Sequence, residues 1–214
     1  MSNVRSARDS ETGESRPEER ATVRKGRYAG LIFIAGTFFL GSWLMPPIVF
    51  ISMWERILYT LRCQVLSVGM LLAGVIVVMI TRANTTAINP LSERGEQYVK
   101  LDNRYLQNTL EQLVLSILTQ LFLATYLEDL WVIPVMTFLF VLGRISFWIG
   151  YKWMPLYRSF GFMLTLVPTT FAYAITLGVF LRNGATHGFT TMTSSRQGQE
   201  QHYNQQQQQR NIHY

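Results

Sequence analysis

Five apolar stretches, each about as long as a helix that crosses a lipid bilayer, limit what this chain can fold into. They cover residues 29–52, 61–81, 105–126, 130–151 and 160–181. A helix needs about 20 residues to cross the hydrocarbon core, where every backbone polar group must be bonded within the chain. The pattern therefore predicts an all-α integral membrane protein with five transmembrane helices, and no soluble core is needed.

The basic residues lie near the ends of these stretches, where they orient a membrane protein. If all five stretches span the bilayer, the N-terminal tail shares one side with the 82–104 and 152–159 connections. That side carries thirteen Lys and Arg residues against five on the other, while Arg144 lies inside a span. We therefore expect a cytosolic N-terminus and a lumenal or extracellular C-terminus. The membrane is predicted to be an endomembrane (ER, Golgi or lysosome) or the plasma membrane, and no nucleic-acid partner is expected.

Polar segments flank the predicted spans. Residues 1–27 contain few large apolar side chains, and residues 182–214 include a run of five glutamines, so both are predicted to be disordered. Between them we predict an extra transmembrane helix with its connection at 28–60, and a four-helix membrane domain at 61–181. The basic cluster at 24–27 is interpreted mainly as an orientation anchor that could also touch anionic lipid.

Three local patterns carry narrower expectations. The double proline Pro46-Pro47 predicts that the first helix kinks or ends there. Asn84-Thr-Thr fits the glycosylation acceptor pattern and is predicted to be unmodified, since its loop is assigned to the cytosol. Cys63 is the only cysteine, so no internal disulfide can form, and the three histidines are too scattered to predict a metal site.

The third apolar stretch opens with polar residues that are unsuited to lipid. At 100° per residue these side chains fall within about a third of the helix circumference. A charged group deep in the bilayer costs about 2.5–3.5 kcal/mol, so this face is expected to contact other helices, another subunit or a ligand. The residues concerned are Arg104, Asn108, Glu111, Gln112 and Thr119.

An arginine inside the fourth span offers a partner for this face. The turn between the third and fourth spans is short, so the two helices are expected to be antiparallel neighbours. Arg144 and Glu111 each lie seven residues from the cytosolic end of their span, at a depth of about 10 Å. We predict that they form a buried ion pair, within one bundle or between subunits.

The surrounding residues leave two interpretations open. A cytosol-facing pocket lined by Arg104, Asn108, Tyr151 and Arg158 would suit a small anion. Alternatively, the same polar groups form a clamp that sets helix register and binds no ligand. Residue types alone favour the clamp slightly.

Two motifs that follow each other along the chain resemble those of the MAPEG superfamily, the membrane-associated proteins in eicosanoid and glutathione metabolism. Arg-x-x-x-Asn-x-x-Glu begins at Arg104, and Gly-Arg-x-x-Phe-x-x-Gly-Tyr ends at Tyr151. The resemblance covers residues 61–181, which would be the four-helix unit of that family. It implies a homotrimer with glutathione as cofactor, bound between subunits near the cytosolic face.

The same resemblance implies roles for individual residues. Arg104, Asn108 and Glu111 match the first glutathione-binding cluster of the family, and Arg144 and Tyr151 match the second. Arg158 stands where the leukotriene C4 synthase branch has a catalytic arginine, which would hold the glutathione thiol as thiolate.

This sequence departs from the family pattern at positions that bear on whether the chain is an enzyme. Gln112 and Phe147 stand where glutathione-binding members often have tyrosine or histidine, whose rings could hold glutathione. The extra N-terminal span is similar to that of a divergent, mattrin-like branch of the family. That branch implies a membrane protein of the secretory or endolysosomal system, acting through protein partners in trafficking or in receptor or secretory cargo handling. The alternative is a glutathione-dependent transferase or isomerase with lipophilic substrates. A channel or transporter is least favoured, because the intramembrane charges occur at one depth.

Overall fold

A computed structural model describes residues 17–46, 48–85, 96–152 and 155–185, which are all helical or in short connections. No strand occurs within these ranges, which confirms the predicted all-α class. Four of the five helices are long and apolar enough to cross a membrane, the third being the exception. The helices are α1 (Pro17–Leu44), α2 (Met53–Ala83), α3 (Glu96–Tyr126), α4 (Val132–Lys152) and α5 (Pro155–Asn183).

Helix α3 differs from the others in composition, although its 31 residues give it ample length to span a bilayer. It places amide and hydroxyl side chains inward against the other helices, which lowers its overall hydropathy. These buried polar residues are Thr109, Gln112, Ser116, Thr119 and Gln120. The predicted third span is therefore a helix whose inward amide and hydroxyl side chains are covered by protein, whereas Arg104 and Glu111 are exposed.

The first helix is longer than the sequence pattern predicts. It begins at Pro17, so residues 17–27 are helical and the expectation of a disordered tail up to residue 27 is wrong for this part. Proline is well suited to the first helical position. The helix ends at Leu44, as the double proline predicts.

Helix α2 begins eight residues before the predicted span because its start is capped. The Ser52 hydroxyl accepts a hydrogen bond from the Glu55 N–H at 3.3 Å, and the Glu55 carboxylate accepts one from the Ile51 N–H at 2.8 Å. This reciprocal arrangement satisfies two backbone donors that a helix start would otherwise leave open. The boundary therefore follows from local side-chain chemistry.

Helix α4 lies at the centre of the packing. Of the four apolar helices it has the largest buried share. Near one end of it, Ile133 and Met136 pack with Leu123 of α3 and Ala172 of α5. Further along, Val135 and Leu139 pack with Ile34 of α1 and Leu164 of α5. The short connection from Tyr126 to Val132 makes α3 and α4 antiparallel neighbours, which confirms the prediction.

The described chain divides into two units after Thr176, and the second is described to residue 185. It contains the last turns of α5, which end at Asn183. Gly184 has a left-handed φ of +73°, and its N–H donates to the Phe180 carbonyl at 2.8 Å. Arg182 and Asn183 are helical, so the expected disorder of the 182–214 tail is wrong for its first two residues. The rest of the predicted tails at 1–16 and 186–214 lies outside the described residues, as does Thr86 of the predicted glycosylation site.

Candidate functional site

Arg144 is the centre of a polar cluster that joins three helices. Its side chain is fully buried, with 0% of its surface exposed. One terminal nitrogen, Nη1, donates to Asn108 Oδ1 at 2.9 Å. The other, Nη2, donates to Gln112 Oε1 at 2.8 Å and to Thr165 Oγ1 at 2.7 Å. We call these four residues the Arg144 cluster.

The positions of the acceptors follow from helix geometry. Asn108 and Gln112 are four residues apart on α3, so both point at the same place on the neighbouring helix. Thr165 reaches Arg144 because α4 and α5 approach closely at Gly143, where an added Cβ would lie 2.7 Å from Thr165 Cγ2. The Thr165 hydroxyl also donates to Gln112 Oε1, so the acceptors are linked to each other.

The cluster stabilises a charge in an apolar interior with groups that carry no net charge. Hydrogen bonds from a charged donor are about twice as strong as those between neutral groups. The guanidinium carbon also lies 5.4 Å from the Phe140 ring centroid and 5.0 Å from that of Phe147, within the range of cation–π attraction. Such a network sets the register of α3, α4 and α5 against each other.

Glu111 lies outside this cluster. It is exposed, and its carboxylate accepts a hydrogen bond from Gln107 Nε2 at 3.1 Å on the same helix. The predicted ion pair with Arg144 is therefore wrong within one chain, because residue 111 is turned about 100° from Gln112 around α3. Pairing with a second subunit is also disfavoured, since Arg144 has no exposed surface.

The other predicted site residues are only partly brought together. Arg104 is exposed on α3, and Asn108 is half-buried against Arg144. Tyr151 lies in the last turn of α4, and its side chain falls outside the described part of the structure. Arg158, in the first turn of α5, is exposed and shares a cavity of about 440 Å³ with Asn108. Arg104 and Glu111 do not line this cavity.

Three residues of the site were not predicted for the roles they take. Gln112 was placed on the polar face of the third span and recognised as a departure from a family pattern, but it was not predicted to bind Arg144, although its spacing from Asn108 was a usable signal. Thr165 is one polar residue in a mainly apolar span, and nothing in the sequence connects it to Arg144. Arg27 of α1 lines the same cavity as Arg158, a placement that depends on where the extra helix packs.

A double-mutant cycle distinguishes the observed cluster from the predicted ion pair. We expect Arg144→Met and Gln112→Leu to show a coupling energy of about 1–3 kcal/mol, because the two side chains bond directly. The matched control is Glu111→Leu, which should add to Arg144→Met within about 0.5 kcal/mol. Unfolding of the detergent-solubilised protein measures both, and stronger coupling at Glu111 than at Gln112 would contradict the assignment.

The comparison with known proteins identifies the family. The sequence model of the MAPEG family matches residues 58–178, more than half of the chain. The chain belongs to the MAPEG family. This confirms the resemblance drawn from the two motifs, with boundaries close to the predicted 61–181.

Curated relatives place this MAPEG protein near one branch. It is 28% identical over 119 residues to Transmembrane protein 79 (mattrin) of Bos taurus and to that of Mus musculus. Each match takes in 55% of this chain and 30% of the relative, so the matched region is less than a third of those proteins. No solved structure matches the chain.

Within one chain, the described residues carried over from the family are only partly brought together, and glutathione binding stays a prediction. Arg144 directs both terminal nitrogens at its own chain, and Glu111 and Arg104 face outward. What remains is a cavity with Arg158 and Arg27 on its wall and Phe147 where a ring hydroxyl or imidazole would be expected. Such a wall suits an anion with apolar parts.

Proposed function

We propose that this MAPEG protein is a mattrin-like membrane protein of the secretory or endolysosomal system. It acts through protein partners in membrane trafficking or in receptor or secretory cargo handling. The observation that carries the proposal is that both terminal nitrogens of Arg144 donate within the chain, to Asn108, Gln112 and Thr165. Groups that would hold a ligand in an enzyme are used here to hold helices, and the similarity to Transmembrane protein 79 supports the same conclusion.

The exposed polar face of α3 supports assembly of the chain with itself. Arg104, Gln107 and Glu111 point outward between exposed apolar residues such as Leu110 and Val114. Charged groups facing lipid are costly, so a neighbouring protein surface should cover them. We infer a homotrimer, as the family resemblance implies. The N-terminus of each chain would lie on the cytosolic side of the membrane.

A glutathione-dependent transferase or isomerase is the second candidate. It is favoured by one observation: Arg158 and Asn108 line the same cavity, whose other walls are largely apolar. A lipophilic substrate could enter such a cavity from the bilayer. This candidate requires glutathione to bind beside Arg158.

Two measurements on one set of variants separate the candidates. Glutathione binding is measured on the purified protein, its Arg158→Ala variant and its Arg104→Ala variant, with trimer mass determined by light scattering. Delivery of receptors and secretory cargo to the surface is measured in cells that lack the protein. We expect no glutathione binding, an intact trimer, and full rescue of delivery by Arg158→Ala.

The opposite pattern would favour the enzyme. Micromolar-to-millimolar glutathione binding that Arg158→Ala abolishes, together with failure of that variant to rescue, would contradict a purely partner-based role. A normal trafficking phenotype in cells lacking the protein would contradict the proposed function directly.

A further inference from the structure

The cavity beside Arg158 combines two cations with an apolar wall. Arg27 of α1 and Arg158 of α5 are both exposed, and they line the same space of about 440 Å³. The wall between them includes Val23, Phe162 and Met163. The cations thus come from two different helices, one of which lies outside the matched family region of 58–178.

Direct packing of α1 on α5 holds this cavity in shape. A Cβ added at Gly30 would lie 3.0 Å from Met163 Cβ, so the helices approach closely one turn beyond Arg27. The rings of Phe33 and Phe160 meet edge-to-face, with centroids 5.8 Å apart. The two arginines are therefore carried by helices in fixed contact.

The same two helices border a second cavity further along their length. It has a volume of about 470 Å³ and is lined by apolar and aromatic residues, including Ile34 and Phe38 of α1 and Val167 and Phe171 of α5. Ile34 is two turns beyond Arg27, and Val167 is about one turn beyond Met163. An apolar chain that extends from the first cavity would therefore contact apolar surface along the same pair of helices.

We propose that the first cavity binds the anionic headgroup of a membrane lipid, with its phosphate between Arg27 and Arg158 and its acyl chains along α1 and α5. Arginine forms forked hydrogen bonds that fit a phosphate. Basic pockets between membrane helices on the cytoplasmic side are known to suit anionic headgroups. The predicted orientation places this end of α1 on that side.

Lipid binding to the full-length protein in detergent tests the proposal. The probes are phosphatidylserine, phosphatidylcholine, inorganic phosphate and glutathione, and the readouts are bound mass in native mass spectrometry and the rise in Tm. We expect phosphatidylserine, whose headgroup is anionic, to bind more tightly than phosphatidylcholine, whose choline cation offsets the phosphate charge. Equal binding of the two lipids would overturn the proposal. Arg27→Gln and Arg158→Gln should each weaken phosphatidylserine binding about fivefold, and the double variant about 25-fold.

The matched control is Arg24→Gln, an exposed arginine on the same helix that does not line the cavity. It should change binding less than twofold, and all variants should keep the Tm of the lipid-free protein. Equal losses in Arg24→Gln and Arg27→Gln would show non-specific surface attraction and overturn the proposal. Binding of inorganic phosphate without phosphatidylserine would identify a soluble ligand and overturn it as well. Arg158-dependent binding of glutathione alone would do the same, while also supporting the enzymatic candidate.

Discussion

Replacing Arg144 with methionine is expected to lower the free energy of unfolding by about 3–5 kcal/mol, the range found when one member of a buried charged network is removed. The change leaves Asn108 Oδ1, Gln112 Oε1 and Thr165 Oγ1 without their common donor. Gln112 and Thr165 are buried, so these two acceptors keep their desolvation cost when the donor is removed. Denaturant or thermal unfolding in detergent measures the loss.

Two further variants make this result specific. Arg62→Met removes an exposed arginine from α2 and should cost less than about 0.5 kcal/mol. Combining Arg144→Met with Gln112→Leu and Thr165→Val removes donor and acceptors together, and should cost less than Arg144→Met alone. If Arg144→Met lowered the free energy of unfolding as little as Arg62→Met does, the cluster would not stabilise the fold.

The depth of the buried arginine could be predicted from sequence, but its partner could not. Counting residues from the ends of two antiparallel spans placed Arg144 level with Glu111, and one of its observed acceptors, Gln112, is the next residue along α3. Choosing between Glu111 and Gln112 required the rotation of α3 about its axis. Opposite charge suggested Glu111, whereas packing on α2 and α4 turns Gln112 inward and leaves Glu111 outside.

The position at which α1 packs on the other helices could not be predicted from the sequence, for a different reason. Its apolar stretch shows only that it can cross the membrane, because lipid and protein surfaces are both apolar there. Nothing in the pattern indicates that Arg27 lies beside Arg158 or that Gly30 contacts Met163. The helix boundaries at Pro17 and Ser52 were signalled by proline and capping chemistry, which counting apolar residues overlooks.

Gln112 links the departure from the family pattern to the proposed function. Glutathione-binding members resemble this chain around Glu111 but often carry tyrosine at the next position. The amide here accepts from Arg144 and from Thr165, so the substituted residue completes the internal network. The residue at this position thus supplies a contact between helices in this chain.

Substituting Gly161 with alanine is expected to cost about 3 kcal/mol, because it separates α4 from α5. The added Cβ would lie 2.5 Å from Phe147 N and 3.0 Å from Phe147 Cα, and backbone atoms of a helix cannot move aside individually. Overpacking of this kind costs about 1–3 kcal/mol. Moving α5 outward also draws Thr165, one turn further along, away from Arg144.

Gly69→Ala is the matched control, since no described atom lies within 4 Å of a Cβ at that position of α2. Alanine is the better helix former by about 0.5–1 kcal/mol, so this variant should unfold at the same or a slightly higher temperature. The two alanine substitutions are therefore expected to have opposite signs in one thermal unfolding assay. If Gly161→Ala were as stable as Gly69→Ala, α4 and α5 would not be in backbone contact, and the Arg144 cluster could not close as described.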